Sequence, residues 1–319
     1  MLGDLGSLSQ MQALLKALSR LSLRLSFRPI IGSRLPLSFQ RRWMAVLTRM
    51  VAGPGGIERS DLWAGPVRVA RFRKPLEDAV GPVDPADRDA VLFVHGGGFQ
   101  IGSGDTYAGL AGWLAEVTGA DVYMPDYRLA PEDPQPAPTD DIFAAYRAVI
   151  GLGHAPGRLA VVGDSAGGAL AVETVRSLPE MGVPSPAAMV LISPWLDLSL
   201  SGASIAEVGS RDPVLRTAWL QRAARDHAAG LHVDDPRISP LFAELRKLPP
   251  TLIQVGTDEI LLDDSTRFAD RAYAAGVEVE LQRFEGFWHD FQIYARYLTG
   301  AREALDDVAA FLDRRLHSG

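Results

Sequence analysis

The sequence contains no cysteine. That excludes a disulfide framework, a thiolate metal site and a cysteine nucleophile, and it fits a cytoplasmic location, which is the expectation here. No apolar run approaches the roughly 20 residues needed to span a bilayer. Near the N-terminus, arginines and serines break LSRLSLRLSFRPIIGSRL every few residues, so the uninterrupted apolar core of a secretory signal is missing too. Net positive charge is confined to the N-terminal segment. The first fifty residues carry Lys16 and seven arginines against Asp4, net +7, while the whole chain is at -7, which leaves the remainder at -14. An acidic body lacks the phosphate-neutralising surface that nucleic-acid binding requires, so no nucleic-acid partner is expected.

What is present is enough chain for a substantial core. The 319 residues, 47% hydrophobic and 22% charged, suit one large α/β domain or a domain with an added subdomain. VRVARF (67–72) alternates apolar and charged residues, as a half-exposed strand would. AVLFVHG, DVYMPDY, RLAVVG, AMVLIS and TLIQVG are short continuous apolar runs, the pattern of strands covered on both faces. VEVELQRF (277–284) returns to alternation and predicts a strand nearer an edge. A homodimer formed through this edge near Val277 is one expectation it raises. Helix-compatible stretches separate these runs at 107–117, 140–150, 166–178, 265–275 and 302–316. Strands alternating with helices predict a mostly parallel central sheet flanked by helices, with its chemistry at the C-terminal strand ends.

Two stretches break the alternation. Leu14, Leu15, Leu18, Leu21 and Leu25 recur at helical spacing, with Lys16, Arg20 and Arg24 elsewhere on the turn. The preferred reading packs these leucines on the body of the protein; the alternative lays the helix on an anionic membrane surface. The second stretch, 196–234, follows the AMVLIS strand and is positioned to cover a site at that strand's end.

The segment VVGDSAGG (161–168) carries the chemistry. Gly163, Asp164, Ser165, Ala166 and Gly167 form Gly-x-Ser-x-Gly between an apolar strand and a helix-compatible run, which is the context of a nucleophile elbow. A serine nucleophile needs a base, a group that orients the base, and donors for the oxyanion. His289, in the loop FEGFWHDF, combines the chain order serine, acid, histidine with a position just beyond a strand. His95, His154, His227, His232 and the tail residue His317 do not. For the acid, TLIQVGTDEILLDD offers Asp258 nearest the strand end, with Glu259, Asp263 and Asp264 as competitors. The short Asp258 side chain in a turn is preferred. The glycines of VLFVHGGGF turn backbone N–H groups toward one point, which assigns Gly97, Gly98 and Ala166 to the oxyanion hole. His95 is read as structural. No Gly-x-Gly-x-x-Gly or Gly-Lys-Ser/Thr accompanies these glycines, against a nucleotide phosphate loop. Phe99, Trp195, Trp219, Phe287 and Trp288 are candidates for pocket walls. HAAGLHVDD, with His227, His232, Asp234 and Asp235, is read as a solvated loop rather than a metal site.

HGGGF, DYRLAPE (126–132), GDSAGG, SPW (193–195), DPRISPL (235–241), GTDEILLDD and the histidine loop, in that order, closely resemble the bacterial hormone-sensitive-lipase family of α/β-hydrolases. The resemblance implies a carboxylic ester hydrolase preferring short to medium acyl chains, with Ser165, Asp258 and His289 as its triad and neither metal nor cofactor. It also implies a helical cap, giving a cap segment at 1–60, core at 61–195, a cap insertion at 196–234 and core again at 235–319. An amidase or peptidase, or an interfacial lipase, would use the same triad. A non-catalytic ligand-binding protein on this fold is the reading from another class.

Overall fold

The computed structural model describes residues 2–75 and 84–316, with side chains in the first helix from Leu8 onward; His317 lies outside the described residues. Helices α1 (Leu2–Ser22) and α2 (Leu37–Leu47) precede the sheet, a π-helical turn at Leu23–Phe27 continuing α1. Strands β1 (Glu58–Ala64) and β2 (Val67–Arg73) form a hairpin. Then come β3 (Ala90–Val94), α3 (Ala108–Thr118), β4 (Asp121–Pro125), α4 (Ala137–Gly151), β5 (Leu159–Asp164), α5 (Ala166–Ser177) and β6 (Ala188–Ile192). An excursion carrying α6 (Ser204–Glu207) and α7 (Thr217–Ala228) leads to β7 (Thr251–Gly256), α8 (Leu262–Ala274), β8 (Val279–Phe284) and α9 (Thr299–Leu316).

The eight strands form one sheet in the order β1-β2-β4-β3-β5-β6-β7-β8. All pairs from β4 to β8 are parallel, and β2 runs against both of its neighbours. The continuous apolar runs become β3 to β7, buried along their whole length. They are buried because helices cover the sheet: α3 packs on α9, and α4 on α5. The alternating run at 277–284 becomes the edge strand β8. VRVARF, in contrast, lies inside the sheet with four of its seven strand positions buried, because β1 pairs along it. The expected boundary at residue 60 falls within β1.

The leucines of the first helix are not packed on the body. Leu14, Leu18, Leu21 and Leu25 are at least half exposed, and only Leu15 of the five packs against the core. The cationic face is the one turned inward. Lys16 Nζ donates to the Glu285 carbonyl (3.1 Å), an Arg20 guanidinium N–H to the Arg211 carbonyl (2.6 Å) and one from Arg28 to the Gly209 carbonyl (3.2 Å). Carbonyls on the body need donors, and the arginine face supplies them, so the helix turns its leucines outward.

Candidate active site

Strand β5 ends at Asp164 and α5 begins at Ala166, so Ser165 occupies the single residue between them. Its backbone, at φ 49° and ψ -123°, is strained for a residue with a Cβ. The surroundings hold it there: Ser165 N–H donates to the Ile192 carbonyl (2.9 Å), and its carbonyl accepts from Trp195 N–H (2.9 Å). The strand and helix can approach this closely because the flanking residues are glycines. A Cβ on Gly163 would stand 2.6 Å from the Gly167 carbonyl oxygen, and one on Gly167 2.1 Å from that of Val94.

The loop after β8 brings His289 to this serine, with Nε2 2.9 Å from Ser165 Oγ. On the other side of the ring, Nδ1 faces Oε1 of Glu259 at 3.5 Å, the long limit of a hydrogen bond. Glu259 is fully buried and fixed at its other oxygen, which accepts from Ser193 Oγ (2.8 Å) and Gly256 N–H (3.1 Å). The expected acid, Asp258, is not at the imidazole. Its N–H donates to the Phe287 carbonyl (2.8 Å), and its carboxylate turns outward to Arg20 (2.7 Å) and Arg211 (3.3 Å). Adjacent residues of a turn point in different directions, and two cations from the segments folded over this turn claim the shorter acid. The extra methylene of Glu259 spans the gap to His289. Only the cations in those two segments hinted at this division in the sequence.

Gly97 (φ 105°) and Gly98 (φ 60°) follow β3 in backbone conformations that favour glycine; a Cβ on Gly97 would meet the Ile101 carbonyl at 2.1 Å. Among the described residues, the N–H groups of Gly97, Gly98 and Ala166 make no hydrogen bond to protein. His95 is buried between the rings of Tyr107 and Tyr127, at centroid distances of 5.4 and 4.2 Å, and burial lowers its pKa to about 4. It is a neutral packing element of the loop. Gly96 N–H donates to Oδ1 of buried Asp164 (2.8 Å), tying the loop to the elbow.

The chain is similar to known hydrolases and esterases. The profile of the alpha/beta hydrolase fold family matches residues 91–293. An acetyl-hydrolase of Streptomyces hygroscopicus is 40% identical over 72% of this chain and 78% of its own. The putative acetyl-hydrolase LipR of Mycobacterium tuberculosis is 31% identical over 91% and 92%. The crystal structure of an esterase from the bacterial hormone-sensitive lipase family superimposes with a TM-score of 0.86 at 32% identity, covering 96% of this chain and 98% of the other. The chain belongs to the bacterial hormone-sensitive-lipase family of α/β-hydrolases. It is an ester hydrolase.

In this esterase a cavity of about 330 Å³ opens above Ser165 and His289. Its walls come from α1, the π-helical turn after it and α2 (Leu18, Leu23, Met44), from the excursion after β6 (Val214, Leu215, Trp219) and from the histidine loop (Trp288, Ile293). Of the aromatic wall candidates, Trp219 and Trp288 line the cavity. Phe99, Trp195 and Phe287 lie outside its walls: Phe99 is buried between Trp195 and the ring of His227, and Phe287 packs on Phe291 beneath Lys16. His227 is thus buried while His232 is exposed beside Asp234, so the two histidines of HAAGLHVDD share no site.

The sequence reading missed Asp290. This buried residue, at φ 54°, places Oδ2 3.2 Å from His289 Nε2, and its charge acts on buried Asp164. Burial and the facing Asp290 charge push Asp164 well above the usual carboxyl range. Burial also raises Asp290, to about 7, even though the His289 charge opposes the shift. Burial lowers the pKa of His289, but Asp290, Glu259 and Asp212 outweigh it and bring it up to about 9. No described helix is long and apolar enough to cross a membrane.

Proposed function

We propose that this esterase hydrolyses short-to-medium acyl esters through a serine acyl-enzyme, with Ser165 as nucleophile, His289 as base and Glu259 as the acid that orients it. The observation that carries the reading is the 2.9 Å contact between His289 Nε2 and Ser165 Oγ at a strained elbow. Neutral His289 takes the hydroxyl proton as Oγ attacks the ester carbonyl, forming the Oγ–C bond and a tetrahedral oxyanion. The N–H groups of Gly97, Gly98 and Ala166 receive that oxyanion, supported by the N-terminal end of α5. Collapse breaks the C–O bond to the alcohol, which leaves with the proton from His289. Water, deprotonated by the same imidazole, then attacks the acyl-enzyme; the acid departs and the proton returns to Ser165.

The cavity-lining side chains of the segment before β1, among them Leu18 and Met44, and of 196–234, among them Leu215 and Trp219, serve as the cap that encloses the acyl group. The modest cavity and the acetyl-hydrolase names of its relatives support a short acyl preference. The test is hydrolysis of p-nitrophenyl esters from two to sixteen acyl carbons by the parent and by Ser165→Ala. Activity concentrated at short chains and abolished in the variant is expected. Residual activity at the parent's level in Ser165→Ala would remove the serine mechanism.

A further inference from the structure

The first helix carries an apolar stripe on its outer side. Met11, Leu14, Leu18, Leu21 and Leu25, spaced by three and four residues, are 48 to 70% exposed. The carbonyl contacts of Lys16, Arg20 and Arg28 fix the rotation of the helix that leaves them outside. The second helix and the 3₁₀ turn that follows it at Thr48–Met50 carry an exposed row of mixed character with the same spacing, Phe39, Arg42, Val46 and Arg49. Residues 5–57 contain no acidic residue, and neither Arg42 nor Arg49 is ion-paired among the described residues. The apolar surface also reaches the entrance of the active-site cavity, where Leu18, Met50 and Tyr297 both line the cavity and stand 40 to 65% exposed.

We propose that this outer face docks on a lipid surface bearing anionic headgroups and sets the cavity mouth against the lipid. The apolar side chains enter the acyl boundary, and Arg42 and Arg49 meet the headgroups. The main competing occupant is a second copy of the chain. A symmetric contact would lay one acid-free cationic face against another, with no opposite charge in either segment to relieve the repulsion. An anionic surface supplies that opposite charge. The orientation of the mouth matters catalytically only on the esterase reading above, whereas docking is independent of chemistry and is measured in Ser165→Ala.

The experiment is co-sedimentation of the full chain carrying Ser165→Ala with vesicles of phosphatidylglycerol and phosphatidylcholine in equal parts, and with phosphatidylcholine alone. Binding to the anionic vesicles is expected, much weakened on the neutral ones and by added salt. Leu14→Gln/Leu21→Gln/Leu25→Gln keeps helix-forming residues and removes apolar surface; it should weaken binding about tenfold or more. Arg42→Glu/Arg49→Glu should do the same by reversing charge, again by about tenfold or more. In an otherwise unaltered chain neither set should change hydrolysis of soluble p-nitrophenyl acetate. No binding to anionic vesicles, or binding that both sets leave intact, would overturn the proposal. So would a dimer by light scattering that the leucine substitutions dissociate, since a second copy would then own the stripe. Bound vesicles without esterase activity in the parent would instead count against the esterase reading alone.

Discussion

Asp290 Oδ2 stands 3.2 Å from His289 Nε2, the same ring nitrogen that faces Ser165 Oγ at 2.9 Å. The left-handed backbone of Asp290, whose N–H donates to Ser193 Oγ (3.2 Å), holds the carboxyl there. A protonated imidazole therefore has a carboxylate at each nitrogen, Asp290 at Nε2 and Glu259 at Nδ1. Buried Asp164 and Asp212 add further acidic groups nearby.

The first prediction is an alkaline profile. His289 must be neutral to accept the serine proton, and its neighbours raise it to about 9, so kcat/KM should climb through that region. Asp290→Asn preserves shape and tolerates the left-handed backbone while removing the charge; the limb should move down by about one unit or more. An unchanged limb would mean that Asp290 does not act on the base. Stability follows with its own sign. A histidine raised above its ordinary 6.5 contributes stability that is full below that value and lost as pH rises through about 9. Melting temperature in the Asp290→Asn variant should depend less steeply on pH across that window.

The second prediction separates two adjacent acids. Glu259→Gln keeps the volume but removes the charge that orients and stabilises the imidazolium, and kcat should fall by roughly 10³ to 10⁴. Asp258→Asn removes only the partner of Arg20 and Arg211 at a partly exposed site. Its kcat should stay within about threefold, in line with the small worth of such pairs. Steady-state kinetics on one short ester decides between them, and the reverse ranking would restore Asp258 to the triad.

That pair also marks how far the sequence could be read. The sheet was legible because strands buried on both faces must be continuous apolar runs, and the elbow because close approach demands glycines at 163 and 167. The choice between Asp258 and Glu259 depends on which way consecutive side chains leave a turn, and that is decided by Arg20 and Arg211 arriving from distant segments. The outward leucines differ from the expected packing for a related reason. Periodicity defines a stripe but not which stripe faces the body, and here carbonyls at Gly209, Arg211 and Glu285 select the arginines. Asp290 left no periodic or motif signal at all.

The third prediction concerns the elbow. Gly167→Ala would put a Cβ 2.1 Å from the Val94 carbonyl and 2.5 Å from that of His95, both backbone atoms of the neighbouring strand and loop. Helix propensity favours alanine by about 1 kcal/mol, yet overpacking typically costs about 1 to 3 kcal/mol or more and displaces the oxyanion loop as well. Lower stability in chemical denaturation, with kcat reduced beyond the loss of folded protein, is the expected result. A stabilised or fully active variant would show that strand and helix are farther apart than described.

The last prediction concerns acyl length. Trp219 lines the cavity, is nearly fully buried, and sits against both the oxyanion loop and the N-terminal segment: a Cβ on Gly98 would lie 3.1 Å from its ring and one on Gly32 2.3 Å from it. Its indole is therefore a wall shared by the nucleophile chamber and the covering helices. Trp219→Ala removes that wall, and the loss of a buried tryptophan costs roughly 3 to 5 kcal/mol of stability. Because truncation also leaves space where longer chains would otherwise collide, the ratio of p-nitrophenyl octanoate to p-nitrophenyl acetate hydrolysis should rise. Expressing selectivity as a ratio of kcat/KM values cancels any loss of folded enzyme. A ratio equal to the parent's would place the acyl chain along another wall, leaving Met44 and Ile293 as the next side chains to truncate.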